Sequence, residues 1–254
     1  MVTTRIPTLS FCITCKNRLY QIRQTLRKNL DDNLIYKDSV DFVLVDFGSS
    51  DGLKEWVASS FKEELESGYL KYYYTDALDG WHASIAKNTS HLMSNKEILV
   101  NLDCDNFTGI RGAAFVIRHF LENVNDIVLH QFLDYFNGSF GRISVKREHF
   151  LAIGGYNESL LPMGYEDVDF IERLKSIGLT YIHDGNKRYN QAIPNSREEG
   201  LVNIKEKVSY AEMVRRNRTV SENNISEGHI IANMNRDWGL RNNISDIYGN
   251  PISI

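Results

Sequence analysis

Hydrophobic positions along the first hundred residues switch repeatedly between a two-residue and a 3.6-residue rhythm. Leu9–Thr14 alternates and then stops at the polar turn Cys15-Lys16-Asn17-Arg18, which reads as a strand running into a loop. Leu19, Ile22, Leu26 and Leu30 follow at helical spacing, with Asn17 as the expected N-cap. Phe42–Val45 is a short uninterrupted apolar run, as in a strand covered on both faces, and it ends at Asp46-Phe47-Gly48-Ser49-Ser50-Asp51-Gly52. A helix carrying Leu53, Trp56, Val57 and Phe61 comes next, then a strand at Tyr69–Tyr74 and a helix at Ala83–Met93. Ile98-Leu99-Val100 is another buried strand, ending at Asp103-Cys104-Asp105.

This β-α-β-α-β-α-β order predicts an α/β fold with a doubly wound, mostly parallel, Rossmann-like sheet. Ligands of such sheets bind beyond the strands' carboxyl ends, where the clusters at 14–18, 46–51 and 103–105 all fall. The second half is mixed. Helices are expected at Ala113–Leu121 and Arg147–Ile153, strands at Ile127–His130 and Gly141–Lys146, and a helical stripe at Phe170, Ile171, Leu174 and Ile177. Leu201, Ile204, Val208, Ala211 and Val214 predict one more helix. The expected organisation is a single domain over 1–218, divided into halves at 1–106 and 107–218, with an irregular, Asn-rich extension at 219–254.

Composition narrows the choices. A formal charge of −4 lacks the basic surplus of a nucleic-acid binder. The three cysteines, Cys12, Cys15 and Cys104, are too few for a disulfide framework, and the Cys12-x-x-Cys15 pair starts inside a strand, so it reads as packed thiols rather than a redox motif. Asn-x-Ser/Thr triplets begin at Asn88 and Asn106, where glycans would block the crevice, so the expected location is cytoplasmic. The basic residues Arg215, Arg216 and Arg218 read as a solvated helix end, allowing at most peripheral membrane contact.

The candidate chemistry lies at the strand ends. Asp103 and Asp105, one residue apart in a turn, suit a hard divalent cation, Mn2+ or Mg2+, that keeps sites for phosphate oxygens. Asp167 and Glu166 open the Phe170 helix, whose N-terminus favours an ionised carboxylate able to accept a proton. Asp169 and Glu172 read as ordinary helix charges, and Trp81 and His82 as packing. Donor-binding candidates on the same rim are Thr14, Arg18, Lys87 and Asn88, together with Asp46 as an acceptor for the uracil N3–H.

These residues also carry a resemblance. FVLVDFGSSD (Phe42–Asp51), Ala86-Lys87-Asn88, ILVNLDCD (Ile98–Asp105), GGYNE (Gly154–Glu158) and MGYEDVDFIERL (Met163–Leu174) together resemble family 2 glycosyltransferases and the β-1,4-galactosyltransferase-like group, over about residues 8–200. The resemblance implies a GT-A fold, a UDP-sugar donor, a divalent cation and an inverting displacement with Asp167 as base. It further implies that Glu166 holds a hydroxyl of acceptor or donor, that a hexose or N-acetylhexosamine is moved, and that the acceptor is a saccharide or glycolipid. Phe47 departs from the group's second Asp, and Leu161 and Met163 replace its tryptophans. Asn195 stands at the offset of the group's metal-binding His, with His183 as the alternative ligand.

A nucleotidyltransferase would normally carry a Gly-rich loop after the first strand, where this chain has Cys15-Lys16-Asn17-Arg18. A sugar-nucleotide-binding protein without transfer activity is the non-enzymatic alternative, and the intact Glu166-Asp167 pair argues against it.

Overall fold

The computed structural model describes residues 5–135, 137–194 and 196–253. The first half runs β1 (Leu9–Cys15), α1 (Leu19–Asn33), β2 (Val40–Asp46), α2 (Leu53–Ser60), α3 (Lys62–Glu66), β3 (Leu70–Tyr74), α4 (Ala83–Leu92) and β4 (Ile98–Asn101). Then follow β5 (Asn106–Phe107), α5 (Gly112–Glu122), β6 (Ile127–Gln131), β7 (Ile143–Lys146), α6 (Arg147–Ala152), α7 (Glu166–Ser176) and β8 (Thr180–Asp184). The chain ends with β9 (Gln191–Ala192), α8 (Arg197–Leu201), α9 (Tyr210–Ser226), β10 (Ile244–Asp246) and β11 (Pro251–Ile252).

Nine strands form one sheet in the order β11-β10-β3-β2-β1-β4-β7-β6-β8, and β5 pairs with β9 beside it. Strands β3, β2, β1 and β4 are parallel, β7 is antiparallel to both its neighbours, and β6 pairs parallel with β8. Both faces of the central strands are covered. Phe42 and Leu44 pack into the cluster that includes Ile22 and Leu26 of α1, whereas Val43 and Val45 pack with Ala86 of α4. This two-sided burial explains why β2 reads as a continuous apolar run. Because β7 runs against its neighbours, its amino end, not its carboxyl end, reaches the rim where β1 and β4 terminate.

Three expectations fail locally. Asn17 does not cap α1. It sits at φ 53° and its side-chain oxygen accepts from Ser50 N–H, while Asp51 accepts from the Leu19 N–H at 2.8 Å. The cap thus comes from the neighbouring loop. The stripe from Leu201 to Val214 is broken rather than continuous. The Asn203 carbonyl accepts from Trp81 N–H at 2.7 Å, which binds this stretch to the rim, and Ser209 then starts α9 by accepting from Glu212 N–H.

The stretch 219–254 is irregular only in part: α9 continues to Ser226, and β10 and β11 extend the sheet beside β3, with 227–243 irregular between them. The polar α9 surface is laced by Glu212–Arg216 and Arg218–Glu222 ion pairs, so it lacks an apolar period. Between them a strap crosses the Gly154-Gly155 pair. Asn233 donates to the Gly154 and Tyr156 carbonyls, and a Cβ on either glycine would overlap Ala232 O or the Asn88 side chain. Both glycines have positive φ, 70° and 67°, so the motif is required by backbone conformation and by close approach.

Candidate active site

A crevice of about 380 Å3 opens where β1 and β4 end. Thr14, Arg18, Lys87, Asp103, Asp105, Glu166 and Asp167 all line it, brought together from β1, α4, β4 and α7. Lys16, Trp81, Phe140, Gly141, Met163, Tyr210 and Asn203 are among the other residues of the wall.

The acidic turn leaves β4 directly. The Leu102 N–H donates to the Cys12 carbonyl, extending the β1–β4 ladder by one bond before the chain turns at Asp103. Asn101 donates to Asp103 Oδ1 at 3.1 Å, and Asn106 donates to Asp105 Oδ1 at 2.6 Å. Burial and the adjacent Asp103 push the Asp105 carboxyl up to about 7, while the Asn106 hydrogen bond and Arg18 pull it back. Two half-buried carboxylates that repel each other, each braced by an amide, form a hard-oxygen donor set that a divalent cation would relieve; these residues fit such an ion. Arg142 backs the turn. This fully buried guanidinium donates to Asn106 Oδ1 at 2.7 Å and to the Tyr189 carbonyl, so it binds β5 to the segment around β9.

Opposite this turn, α7 begins at Tyr165, which adopts φ 71° and supplies no side-chain cap. Glu166 and Asp167 therefore occupy the first turn, where the helix dipole favours negative charge. Lys87 reaches both, with Nζ 2.6 Å from Asp167 Oδ1 and 3.1 Å from Glu166 Oε1. Burial pushes the Asp167 carboxyl up to about 7; Lys87 opposes that rise and Glu166 adds to it. Burial also works against the Lys87 ammonium, yet Asp167 and Glu166 outweigh it and hold its proton more tightly than usual.

Gly141, just before β7, lies between the two acidic groups. A methyl on its Cα would stand 2.8 Å from Asp103 Oδ2 and 3.4 Å from Asp167 Oδ2. Asp103 and Asp167 therefore face one space that glycine leaves open.

Other candidates lie away from that space. Asp46 is fully buried beneath the loop: Oδ1 accepts from Ser49 N–H at 2.8 Å and Oδ2 from the Tyr72 hydroxyl at 2.7 Å. Both oxygens fix the turn, and Asp46, expected from the sequence to face the uracil, has no exposed surface and does not line the crevice. Asn88 is likewise given to the scaffold, accepting from Tyr156 N–H and donating to the Tyr156 carbonyl and to Glu158. His183 shares a hydrogen bond with the Phe132 carbonyl and packs on that ring at 4.3 Å, outside the crevice. Asn195 lies outside the described residues. Asp169 pairs with Arg173 at 2.7 Å, fully buried, and Arg173 donates to the Ile153 and Gly155 carbonyls, a purely structural assignment.

Gly141, Arg142 and Asn203 were not legible as site residues. An antiparallel strand start and a buried arginine leave no periodic signal, and Asn203 reaches the rim only through its bonds to Lys16 O, Asn17 and Trp81.

A family model described as the N-terminal domain of galactosyltransferase matches residues 118–197, the stretch from α5 to the start of α8 that includes Glu166 and Asp167. No curated protein sequence matches the chain. Among solved structures, the mannosyltransferase PcManGT of Pyrobaculum calidifontis, in complex with GDP-mannose and Mn2+, superposes with a TM-score of 0.62 at 16% identity, covering 90% of this chain and 73% of that one. TarS 1–349 of S. aureus with UDP-GlcNAc gives 0.66 at 14% identity, covering 88% and 69%. Against a longer TarS structure the chain spans 37% of the length. Identities this low establish the scaffold alone, and the matched segment adds a resemblance over part of the chain. The chain has the GT-A fold of these glycosyltransferases, and its residues 118–197 resemble the N-terminal domain of galactosyltransferase.

Proposed function

We propose that the chain transfers a hexose or N-acetylhexosamine from a UDP-sugar to a saccharide or glycolipid hydroxyl, with inversion at C1, using Asp167 as general base. The observation that carries this reading is the meeting of Asp103 Oδ2 and Asp167 Oδ2 over Gly141. One carboxylate stands on the side from which a diphosphate would leave, the other where an acceptor hydroxyl would approach. A divalent cation, Mn2+ or Mg2+, held by Asp105 and Asp103 would neutralise charge on the departing diphosphate. Arg18, close enough to pull the Asp105 carboxyl down, adds a second positive charge on that side. Asp167 takes the hydroxyl proton as the oxygen attacks C1, and Glu166 accepts a hydrogen bond from a neighbouring hydroxyl. A base whose carboxyl lies near 7 matches the requirement for proton transfer at neutral pH.

The test combines donor screening with one substitution. UDP-glucose, UDP-galactose, UDP-GlcNAc, UDP-GalNAc and GDP-mannose are compared by thermal shift and UDP or GDP release, with and without Mn2+. A UDP-sugar should be favoured, and Asp105→Ala should abolish metal-stimulated UDP binding in calorimetry. Unchanged metal-dependent affinity in that variant removes the acidic turn from the donor site, and preference for GDP-mannose overturns the nucleotide assignment.

A further inference from the structure

Lys87 sits in the middle of α4, and its ammonium is almost wholly enclosed, with 6% of the side chain exposed. The side chain passes beside the Tyr156 ring, with Nζ 5.2 Å from the ring centroid. Tyr156 is itself fixed, because Asn88 hydrogen-bonds both its N–H and its carbonyl. Two of the three ammonium hydrogens are directed at Asp167 Oδ1 and Glu166 Oε1. Two carboxylates around one cation leave the group net negative, so it offers little attraction to a diphosphate. Arg18, in contrast, approaches Glu199 only at 3.7 Å and stays partly open to the crevice. The ammonium pins one oxygen of Asp167 and leaves the other, Oδ2, directed towards Gly141.

We propose that Lys87 acts on the reaction through Asp167: it is a positioning residue that fixes the base with Oδ2 facing the acceptor side, and not a ligand of the donor diphosphate. The proposal rests on the reading of Asp167 as base. Lys87 holds the carboxylate in one rotamer and balances its charge while Oδ2 receives the proton. Its amine exchanges no proton with the acceptor.

The experiment compares Lys87→Met and Lys87→Arg with the unsubstituted protein, using UDP with Mn2+ for affinity and, for turnover, whichever UDP-sugar of the donor screen it uses. Lys87→Met should lower kcat by about tenfold to a hundredfold, a part of the usual general-base contribution, with UDP affinity unchanged. Added methylammonium should restore some of that rate. Lys87→Arg keeps the charge but places a wider planar group between the acids, so it too should lower kcat at unchanged UDP affinity. This variant decides the matter if Lys87→Met does not fold.

A tenfold or greater loss of UDP affinity in Lys87→Met, or a gain of UDP affinity in Lys87→Arg at full kcat, overturns the proposal and makes Lys87 a diphosphate ligand. Asp167→Asn measured alongside separates the two readings. If that variant turns over normally, the base assignment itself fails. If it is inactive while Lys87→Met keeps full kcat, only the positioning role of Lys87 fails.

Discussion

The two poles of the sheet carry similar side chains in different settings. At the carboxyl pole, Asp103, Asp105, Glu166 and Asp167 surround Lys87 and Arg18 in the crevice. At the amino pole, Asp126, Glu148 and His149 come within metal-ligating distance of one another, beside Lys146 and a cavity of about 460 Å3. The difference is burial. The side chains of Glu166 and Asp167 are 9% and 13% exposed, whereas those of Asp126 and Glu148 are 40% and 70% exposed. Hydrogen bonding by Lys146 is the main influence on Asp126 and holds its carboxyl below the usual range; burial pushes Asp105 and Asp167 far above it. Water and a lysine suffice for the amino-pole cluster. The crevice carboxylates are crowded, and Glu166 and Asp167 are buried as well, a cost that a folded protein retains where charge is to be received from a ligand.

The largest expected effect at the crevice comes from Asp167→Asn. The amide keeps shape and can still meet Lys87 through its oxygen, but it cannot take a proton. Turnover should fall by roughly 10²–10⁴-fold while UDP affinity in the presence of Mn2+ stays the same. If Asp167 matters only as negative charge at a helix N-terminus, the substitution should instead cost about 1 kcal/mol of stability or less and leave turnover near normal. Transfer rate, UDP affinity and melting temperature on one preparation separate these outcomes.

This contrast was only half legible in the sequence. The strands β1, β2 and β4 announced themselves because both sheet faces are covered, so every residue is buried and most are apolar, and the acidic turn after β4 came with them. Which way a side chain turns at a strand end is a tertiary matter. Asp46 and Asp103 stand at similar positions after buried strands, yet Asp46 is captured by Tyr72 and Ser49 while Asp103 Oδ2 faces Gly141. Position within the chain could not distinguish them. Nor could it reveal Gly141, which arrives from the opposite direction because β7 is antiparallel. The C-terminal stretch was misread for a related reason. Ile244 and Ile247 are buried where β10 joins the sheet beside β3, and two such positions are too few for a period.

The next expected effect uses pH to set one pole against the other. Asp105 and Asp167 have folded-state values raised to about 7, well above the unfolded value, so the folded state holds their protons more tightly. Their contribution to stability is complete below about pH 4 and is lost as pH rises through 7. Asp126, whose value is lowered, works in the other sense: its contribution is present above the unfolded value and is lost as pH falls through the folded one. Without divalent metal, the melting temperature should therefore drop between pH 6 and pH 8, and Mn2+ with UDP should reduce the drop by binding the ionised acids. Asp105→Asn should flatten the metal-free profile. A metal-free melting temperature that climbs from pH 6 to pH 8, or one unaffected by Asp105→Asn, would contradict the crowded-acid description of the crevice.

The smallest expected effect is at the amino pole, and it tests whether the geometry of three ligands alone makes a site. Asp126 pairs with Lys146, and His149 Nε2 lies 2.9 Å from Asp126 Oδ2, so the negative charge is already matched within the protein. A cation entering there would have to displace the lysine and compete with water around Glu148. Asp126→Asn removes the charge without emptying space. Partly exposed ion pairs contribute about 0–1 kcal/mol, so the melting temperature should move by a few degrees at most. Turnover and the Mn2+ dependence of UDP binding should stay as they were, since this cluster and the crevice lie at opposite ends of the strands. If Asp126→Asn instead abolished Mn2+ protection measured without nucleotide, the amino pole would hold a metal of its own, and exposure would no longer separate the two clusters. Its survival in that measurement, beside loss of metal-stimulated UDP binding in Asp105→Ala, would place the functional cation at the buried acids.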